Sequence, residues 1–438
     1  MKKTLTSKEL QAKKAQYIAP TVKHWYTDPP HFVSGNMQYL TDSEGKDYLD
    51  LFAGICTVSV GHSNPSVTER VVSQVQTLQH TSTIFLTQGM VDLAERLAQI
   101  TPGRLQKSFI TNSGTEANEA AILMAKNHTG NTEILALRHS YHGRSYLAGS
   151  LTSQANYRVD LTPVPGITFV QNAYCYRCPF GKTPGSCSFE CAQSVEEAIQ
   201  TCTSGKPAVM IAEPIQGVGG IITPPMGYFP EVKRILDKYG VLFIADEVQT
   251  GFGRTGGKWF GIEQWGVEPD LMTMAKGIAN GFPAGAAIAR PEVADSLQKG
   301  TINTFGGNPI SSEAALATID YIEEHRLMDN ATEVGGYFKD KLNELAETYP
   351  VIGEVRGMGL MLGVELVKDR QTKEPAPDLA TRVLDLTKDA GVVIGKGGLY
   401  GNTLRIQPPM VVTKQDVDRG IAALKGALEQ VSKAAVHA

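Results

Sequence analysis

Short apolar runs, each followed at once by a charged residue, stand out in the centre of the chain. Residues 241–245 (VLFIA) lead into Asp246, and residues 271–275 (LMTMA) lead into Lys276. Such runs are typical of strands that are buried on both faces of a parallel sheet. Because open α/β folds bind ligands at the carboxyl edge of the sheet, we expect Asp246 and Lys276 to lie close together at that edge.

Other segments continue this alternation of strands and helices. Residues 134–137 and 209–211 are two more apolar runs, and residues 109–119 (FITNSGTEANE) predict a strand, a tight turn and a helix. Residues 38–52 predict a hairpin with a polar turn at residues 42–45. This order of elements favours the α/β class.

Composition and charge narrow the range of partners. The chain has 438 residues, of which 42% are hydrophobic and 20% charged, values that suit a large domain with a smaller one beside it. The net charge of −4 gives no electrostatic reason to expect nucleic acid or a membrane as a partner. No apolar run approaches the roughly 20 residues of a membrane-spanning helix. Residues 1–17 are basic without an apolar core, so we expect a polar arm or helix on a cytoplasmic protein.

Four of the six cysteines lie in one Gly- and Pro-rich segment. Cys175, Cys178, Cys187 and Cys191 have a spacing that a zinc or iron–sulfur site could use. The alternative is a loop that packs unligated thiols, because closely spaced cysteines in a cytoplasmic protein argue against structural disulfides. We favour the loop and predict no metal, since the chemistry inferred below needs none.

Asp246 and Lys276 can be interpreted in two ways. A carboxylate and an amine at two strand ends can form an ordinary salt bridge. They can also hold pyridoxal phosphate (PLP), with Lys276 as the amine that forms a Schiff base and Asp246 as the partner of the pyridine nitrogen. A partly desolvated setting favours the second interpretation, because a lysine must lose its proton to act as a nucleophile.

The motif around these residues resembles that of a known family. Asp246-Glu247-Val248-Gln249, with Lys276 thirty residues beyond Asp246, is similar to the motif of class III, fold-type-I PLP-dependent aminotransferases, and the resemblance extends from Tyr48 to Pro409. It implies a mostly parallel seven-stranded sheet in a large domain, plus a small α+β domain formed by both chain ends. The implied bounds are 1–62 for the arm and part of the small domain, 63–330 for the large domain and 331–438 for the rest.

The resemblance also implies a set of cofactor-binding residues. Tyr141 would stack on the ring with Val248 on its other face, His142 would help to fix the turn, and Gln249 would bond to the ring hydroxyl oxygen. The start of the predicted helix at residues 113–115 would bind the phosphate, although an ordinary N-cap explains the same residues. The full set, with Thr304 coming from a partner subunit, is Ser113, Gly114, Thr115, Tyr141, His142, Glu213, Asp246, Val248, Gln249, Lys276 and Thr304.

Substrate-binding residues follow from the same resemblance. Arg405 lies in a motif that binds the substrate α-carboxylate, and arginine suits that role through two parallel N–H bonds. Arg144 matches an arginine that binds a distal carboxylate, with a structural ion pair as its alternative. Val218 is a departure, because 4-aminobutyrate and ornithine members have a glutamate there that pairs with the carboxylate-binding arginine. The remaining implied residues are Ile55, Cys56 and Phe85. Phe85 would be contributed by the partner subunit of a homodimer or of a tetramer, with an ordinary core aromatic as the alternative.

Transamination is the activity that the resemblance implies. Lys276 would take the α-proton of the donor and return it to the cofactor, and an oxo acid anchored by Arg405 would run the second half of a ping-pong cycle. Val218 and Cys56 favour pyruvate or glyoxylate as acceptor, as in alanine–glyoxylate-type and ω-amine:pyruvate members. Arg144 instead favours an ω-amino acid donor such as β-alanine or 4-aminobutyrate.

The sequence is also compatible with other functions. One is a 4-aminobutyrate/2-oxoglutarate aminotransferase, and another is a PLP-dependent decarboxylase or aminomutase on the same fold. A third is a non-catalytic protein that binds PLP or zinc. Residues 251–256 also match G-x-G-x-x-G, but these glycines do not directly follow a strand or begin a helix, so we interpret them as a glycine-rich loop.

Overall fold

The computed structural model describes residues 5–159, 162–183 and 185–436, so residues 1–4 of the predicted N-terminal arm lie outside it. In chain order its strands are β1 (Phe32–Asn36), β2 (Tyr39–Asp42), β3 (Asp47–Asp50), β4 (Lys107–Thr111), β5 (Ile134–Leu137), β6 (Ile167–Val170), β7 (Val209–Ala212), β8 (Leu242–Asp246), β9 (Leu271–Met274), β10 (Gly285–Ala289), β11 (Ile352–Met358), β12 (Met361–Leu366), β13 (Val392–Val393), β14 (Gly395–Gly397) and β15 (Thr403–Ile406).

Helices alternate with these strands along most of the chain. In the same order they are α1 (Ser7–Tyr17), α2 (Ala53–Cys56), α3 (Pro65–Thr77), α4 (Gln88–Ile100), α5 (Gly114–Thr129), α6 (Tyr146–Ser150), α7 (Glu190–Cys202), α8 (Tyr228–Tyr239), α9 (Pro291–Ala294), α10 (Pro309–Glu324), α11 (Leu327–Thr348), α12 (Pro377–Asp389) and α13 (Lys414–Val436). None of the helices in the described part of the chain is long and apolar enough to cross a membrane.

The central sheet has seven strands in the order β4-β10-β9-β8-β7-β5-β6. Only β10 runs antiparallel to its neighbours, so the predicted mostly parallel sheet of an α/β fold is confirmed. Every residue of β5, β7, β8, β9 and β10 is buried, which explains why these strands are continuous apolar runs. Helices cover both faces and leave the carboxyl ends of the strands free for a site.

Two smaller sheets involve both ends of the chain. β1, β2 and β3 form an antiparallel sheet that β13 joins by pairing in parallel with β3. β11, β12, β15 and β14 form the other, fully antiparallel sheet. The predicted hairpin at residues 38–52 is therefore present as β2 and β3. The predicted bound at residue 330 falls inside α11.

One predicted strand end agrees with the structure, and the other differs slightly. β8 ends on Asp246, as predicted, and the backbone of this residue pairs with Thr273 of β9. β9 ends at Met274 rather than Ala275, because Ala275 is the N-cap of a 3₁₀ helix, Lys276–Ala279. The end of β9 therefore differs by one residue, and Asp246 and Lys276 lie at the same edge of the sheet.

Candidate active site

Asp246 and Lys276 line one cavity of about 270 Å³ at the carboxyl edge of the central sheet. Asp246 ends β8, and Lys276 follows the neighbouring parallel strand β9 by two residues. The amine of Lys276 makes no hydrogen bond or ion pair with the described residues, so the two side chains do not form the ordinary salt bridge that was the alternative interpretation. Asp246 and Lys276 lie at the same edge because they follow neighbouring parallel strands, as the apolar runs predict.

The protein surroundings of Lys276 favour its neutral form. Burial lowers the pKa of the amine, nearby Arg405 lowers it further, and Cys56 and Asp246 oppose this effect. The backbone of Lys276 is left-handed, with φ of +48°, a conformation that is uncommon outside glycine and is concentrated at functional sites. Lys276 is therefore suited to act as a nucleophile and as a base.

Asp246 is held in a fixed orientation by three donors. Its Oδ2 accepts hydrogen bonds from His142 Nδ1 at 2.7 Å and from Asn118 Nδ2 at 2.9 Å, and its Oδ1 accepts one from the backbone N–H of Val248 at 3.1 Å. Asn118 is itself held by the hydroxyl of Thr273, which donates to its Oδ1 at 2.6 Å. His142 was expected to help fix the local turn, and its backbone bonds to Asn118 and Thr152, while its ring also bonds to the carboxylate of Asp246.

Glu213 is a second buried acid, placed beside this pair. Its Oε1 accepts from the backbone N–H of Tyr141 and its Oε2 from that of Gly217, both at 2.9 Å. Burial raises the pKa of Glu213 to about 7, His142 lowers it and Asp246 raises it. Glu213 therefore ties the turn that carries Tyr141 to the loop after β7.

The start of α5 forms another wall of the cavity. Ser113 Oγ accepts a hydrogen bond from the backbone N–H of Glu116 at 3.3 Å, so the N-cap foreseen as the alternative is present. Ser113, Gly114 and Thr115 also line the cavity, and the 16-residue helix presents its positive end there. A Cβ at Gly114 would lie 2.9 Å from Val248 Cγ2, so a side chain would crowd this wall.

Arg405 enters the cavity from β15 and has only neutral oxygens as hydrogen-bond partners. Its Nη2 donates to Gln249 Oε1 at 2.7 Å and to Gln407 Oε1 at 2.8 Å, while its Nε is buried without a partner. Cys56 Sγ donates to the same Gln249 oxygen at 3.4 Å. The side-chain oxygen of Gln249 thus accepts a hydrogen bond from Arg405. Its amide nitrogen is the group that can donate the predicted bond to a ring oxygen of the cofactor.

A left-handed turn supplies Ile55 and Cys56. Residues 53–56 all have φ between +50° and +69°, which is strained for a β-branched residue such as Ile55. Asp50 stabilises the start of this turn, because its Oδ1 accepts the backbone N–H groups of Phe52 and Ala53, each at 2.8 Å. Ile55 lines the cavity, whereas Cys56 lies behind it and is 2% exposed.

Fourteen of the seventeen predicted site residues line this single cavity. Cys56 is the buried neighbour just described. Phe85, which is 62% exposed, and Thr304 lie outside the cavity of their own chain. The fourteen lining residues are Ile55, Ser113, Gly114, Thr115, Tyr141, His142, Arg144, Glu213, Val218, Asp246, Val248, Gln249, Lys276 and Arg405.

The sequence interpretation missed five lining residues, namely Trp25, Asn118, Gly143, Tyr157 and Ala275. Asn118 follows Gly114 by four residues, so helical periodicity places it on the same face and could have identified it. Gly143 has φ of +140°, and a Cβ there would lie 2.5 Å from Thr115 Oγ1. Trp25 and Tyr157 come from segments without a motif, and no local signal points to them.

The four clustered cysteines lie at a different place in the fold. Cys175, Cys178, Cys187 and Cys191 line a second, smaller cavity, and all four are free thiols. Within the described ranges, no group of three or more His, Cys, Asp or Glu side chains could hold a metal ion. Burial raises the pKa of the Cys191 thiol to about 12, which favours the protonated thiol.

The cavity fits a cofactor with a phosphate and a protonated ring nitrogen. The positive end of α5 suits the phosphate, the fixed carboxylate of Asp246 suits the nitrogen, and His142 Nε2 is buried without a partner. PLP, when bound, withdraws electrons from the substrate carbon that carries the amino group. Lys276 Nζ would move the proton at that carbon, and Arg405 would bind and orient the substrate carboxylate.

Comparisons with known proteins agree with this arrangement. The family model described as aminotransferase class-III matches residues 22–428. A relative from Arabidopsis thaliana named alanine–glyoxylate aminotransferase 2 homolog 2, mitochondrial, is 44% identical over 417 residues, which cover 94% of this chain and 86% of the relative. A relative from Thermococcus litoralis named leucine/methionine racemase is 40% identical over 399 residues, which cover 90% and 89%.

A solved structure extends the likeness to the fold. It is an amine transaminase from an uncultivated Pseudomonas species in its PLP-bound form, which is 32% identical with a TM-score of 0.88 and covers 95% of this chain and 98% of that chain. The family model, the Arabidopsis relative and the solved structure therefore all indicate an aminotransferase. The chain belongs to the class III aminotransferases, PLP-dependent enzymes of fold type I.

Proposed function

We propose that this aminotransferase transfers an amino group from an amino acid, with L-alanine as the first donor to test, to pyruvate or glyoxylate. The observation that carries the proposal is the buried guanidinium of Arg405, which has no carboxylate partner among the described residues and lies close to the apolar Val218. A glutamate in place of Val218 would compete with the substrate for that guanidinium. Valine leaves Arg405 available to the α-carboxylate of a small oxo acid.

The roles of the site residues form part of the same proposal. Lys276 serves as base and then as acid, and Asp246 keeps a proton on the ring nitrogen of the cofactor. Arg405 binds the α-carboxylate of donor and acceptor in turn, as a ping-pong cycle requires. The remaining cofactor-binding residues are Ser113, Gly114, Thr115, Tyr141, His142, Glu213, Val248 and Gln249.

The visible spectrum of the holoenzyme tests this proposal. We expect L-alanine to bleach the yellow colour of the bound cofactor and to release pyruvate, and glyoxylate to restore the colour. A holoenzyme that transfers amino groups from L-alanine to 2-oxoglutarate but not to pyruvate or glyoxylate would contradict the proposed acceptor. The Lys276→Ala variant is the matched control, because it keeps the cavity and lacks the amine.

Arg144 supports a second candidate, a 4-aminobutyrate/2-oxoglutarate aminotransferase. Its side chain lines the cavity, is exposed and makes no hydrogen bond or ion pair within the described ranges. A distal carboxylate of the donor could therefore bind there. Faster turnover of 4-aminobutyrate with 2-oxoglutarate than of L-alanine with glyoxylate would favour this candidate over the first.

The relative named leucine/methionine racemase supports a third candidate of another reaction class. A racemase inverts an amino acid without an oxo acid, because the α-proton is removed and returned on opposite faces. Formation of D-alanine from L-alanine without added oxo acid and without pyruvate release would favour it. A decarboxylase would release CO₂ in the same assay, and an aminomutase would move the amino group within the donor.

We also propose that the active unit is a homodimer with shared active sites. Support comes from exposed apolar side chains that lie outside the cavity of their own chain, with Leu86 93% and Ile302 76% exposed. Phe85 and Thr304 lie in the same two segments, and each would reach the site of the partner. Light scattering of the purified protein would distinguish a dimer from a tetramer.

The domain bounds and the location of the protein are further proposals. Pairing of β3 with β13 supports a small domain that is formed by residues 1–62 and 331–438, with residues 63–330 as the large domain. We also propose a cytoplasmic location, whereas the relative from Arabidopsis thaliana is named as mitochondrial. Fractionation of cells that express the natural gene would decide between the two compartments.

A further inference from the structure

Arg356 in β11 is a buried arginine that does not line the cavity and that the transamination chemistry does not use. It is 7% exposed. Its Nη1 donates to Glu354 Oε2 at 2.6 Å and to Glu365 Oε2 at 2.7 Å. A buried guanidinium paired with two carboxylates is firmly held, because loss of a partner would leave an uncompensated charge in the interior.

The cysteine-bearing loop completes this cluster. Arg177 Nε donates to Glu365 Oε1 at 2.7 Å, and the hydroxyl of Tyr174 donates to Glu365 Oε2. Glu365, which is fully buried, therefore receives hydrogen bonds from two arginines and a tyrosine. This arrangement connects the loop that carries the cysteines to the antiparallel sheet that contains Arg356.

The other edge of the Arg356 guanidinium binds a backbone carbonyl next to the cavity. Its Nε and Nη2 both donate to the oxygen of Gly220, at 2.9 Å and 2.6 Å. Gly220 has φ of +110°, and a Cβ there would lie 3.2 Å from Arg356 Nη2 and 3.0 Å from Thr403 Oγ1. Val218, two residues before Gly220, lines the cavity. Arg356 therefore fixes the loop that forms this wall.

The same guanidinium also reaches the strand that carries Arg405. Its Nη2 lies 3.4 Å from the hydroxyl of Thr403, which is two residues before Arg405 in β15 and so shares its face of the strand. The carbonyl of Val218 accepts a hydrogen bond from the backbone N–H of Gly398 at 2.9 Å. A Cβ at Gly397 would lie 2.8 Å from Arg405 Cδ and 3.1 Å from the oxygen of Val218. The loop that carries Val218 and Gly220, here called the Val218 loop, and the Arg405 side chain thus both pack against Gly397.

We propose that Arg356 is a positioning residue for recognition of the substrate carboxylate. By binding the Gly220 carbonyl and the Thr403 hydroxyl together, it fixes the distance between the Val218 loop and Arg405. The proposal rests on the proposed function only in that Arg405 binds the α-carboxylate, which every 2-oxo acid has. It assigns a role to Arg356 and to the cysteine-bearing loop that is bonded to the same Glu365, neither of which lines the cavity.

The Arg356→Lys variant tests whether Arg356 acts through its hydrogen-bond geometry or only through its positive charge. It keeps a cation for Glu354 and Glu365 but lacks the fixed pair of N–H donors that both bind the Gly220 oxygen. We expect the holoenzyme of the Arg356→Lys variant to show a KM for the oxo acid that is raised roughly tenfold or more, because small displacements of binding groups are costly. We expect kcat and cofactor content to stay close to those of the wild type. The control, Arg234→Lys, alters an exposed ion pair on α8 and should leave both constants unchanged.

A second variant disturbs the same contact from the opposite side. Gly220→Ala adds a Cβ against Arg356 and Thr403 and should raise the same KM, even where Arg356→Lys fails to fold. A thermal midpoint that falls while KM stays at the wild-type value in either folded variant would overturn the proposal and leave Arg356 with a purely structural role. If the wild type uses neither pyruvate nor glyoxylate, the proposed acceptor fails, and the variants are compared with the oxo acid that it does use.

Discussion

His142 Nδ1 lies 2.7 Å from Asp246 Oδ2, and both side chains are closed off from solvent. Together with Asn118 Nδ2, this contact holds the carboxylate in one orientation and leaves His142 Nε2 without a partner. A buried carboxylate fixed in this way is an effective partner for a protonated ring nitrogen, because its charge is already oriented before the reaction begins.

We therefore expect Asp246→Asn to abolish most of the activity while the protein still folds. Asparagine keeps the shape and one acceptor oxygen but carries no charge to hold a proton on the ring nitrogen. The rate at which L-alanine bleaches the holoenzyme should fall by roughly 100-fold or more. Asp237→Asn, on the exposed face of α8, is the control and should react like the wild type. A rate for Asp246→Asn within twofold of the wild type would contradict the assigned role.

Arg405→Lys tests carboxylate recognition directly. Lysine retains a positive charge but loses the planar pair of N–H donors, and Gln249 and Gln407 would compete for its single amine. We expect KM for both L-alanine and the oxo acid to rise roughly 10- to 100-fold, in line with about 1.5–3 kcal/mol for a hydrogen bond to a charged group. Steady-state kinetics with both substrates measures this rise, and an unchanged KM for both would exclude Arg405 as the carboxylate-binding residue.

Residues at the ends of regular strands were predictable, because local patterns decide where they lie. The apolar runs before Asp246 and Lys276 form neighbouring parallel strands, and parallel strands end at a common edge. Asn118 could have been added from helical periodicity. Sequence patterns therefore predict many of the residues that line the cavity, including Asp246, Lys276 and the start of α5.

Other features depend on long-range packing and had no local signal. Trp25 reaches the cavity because its ring packs 5.3 Å from that of Phe52, and Tyr157 because its ring lies 5.5 Å from that of Tyr141. The left-handed turn even opposes local preference, since Ile55 disfavours positive φ. The turn is held by the bonds that Asp50 accepts from the backbone and by backbone hydrogen bonds from Ile55 and Cys56 to the oxygen of Phe52, and the position of Asp50 depends on the folded small sheet.

Val218→Glu tests the choice of acceptor. Val218 is 8% exposed, and its backbone lies close to the Arg405 side chain, so a glutamate there would compete with the substrate carboxylate. We expect KM for pyruvate and glyoxylate to rise roughly tenfold, which corresponds to about 1.4 kcal/mol. Val218→Leu changes the size without adding charge and should have a smaller effect. Equal KM values for the two variants would show that charge at this position is irrelevant.

Mixed dimers test whether Thr304 serves the partner's site. Thr304→Glu would place a carboxylate against the cofactor phosphate and so prevent retention of PLP, while Lys276→Ala removes the reacting amine. If Thr304 acts across the dimer, a hybrid of the two variants contains one site with both Lys276 and Thr304. A re-equilibrated 1:1 mixture of inactive parents should then regain about a quarter of the wild-type activity, because half of the dimers are hybrids with one intact site.

A matched control makes this complementation specific. Thr304→Glu mixed with a double variant that carries Thr304→Glu and Lys276→Ala can form no intact site in any dimer and should stay inactive. Recovery in the control would show that activity returns without a site that contains both Lys276 and Thr304, and so would rule out complementation. An inactive test mixture, with hybrids shown by native mass spectrometry, would mean that Thr304 does not act across the dimer.

The titration of Glu247 should make the free energy of unfolding depend on pH. It is fully buried, and its Oε2 and Oε1 accept the backbone N–H groups of Gly261 and Ile262 at 2.8 Å and 2.7 Å. Burial raises the pKa of Glu247 to about 7 from an ordinary value of 4.5, with the hydroxyl of Thr250 opposing the rise. Because the folded state then binds the proton more tightly than the unfolded state, Glu247 should reduce the free energy of unfolding as pH rises from 4.5 to 7, and have no further effect above.

One pKa unit corresponds to about 1.4 kcal/mol, so this single group can account for up to about 3 kcal/mol. We expect the thermal midpoint of the wild type to fall between pH 5 and pH 8 more steeply than that of Glu247→Gln, which cannot titrate. Glu347→Gln, an exposed control on α11, should follow the wild-type curve in parallel. Parallel curves for wild type and Glu247→Gln, measured by calorimetry over this range, would show that Glu247 is already ionised at the lower pH. The hydrogen bonds from Gly261, Ile262 and Thr250 would then outweigh its burial.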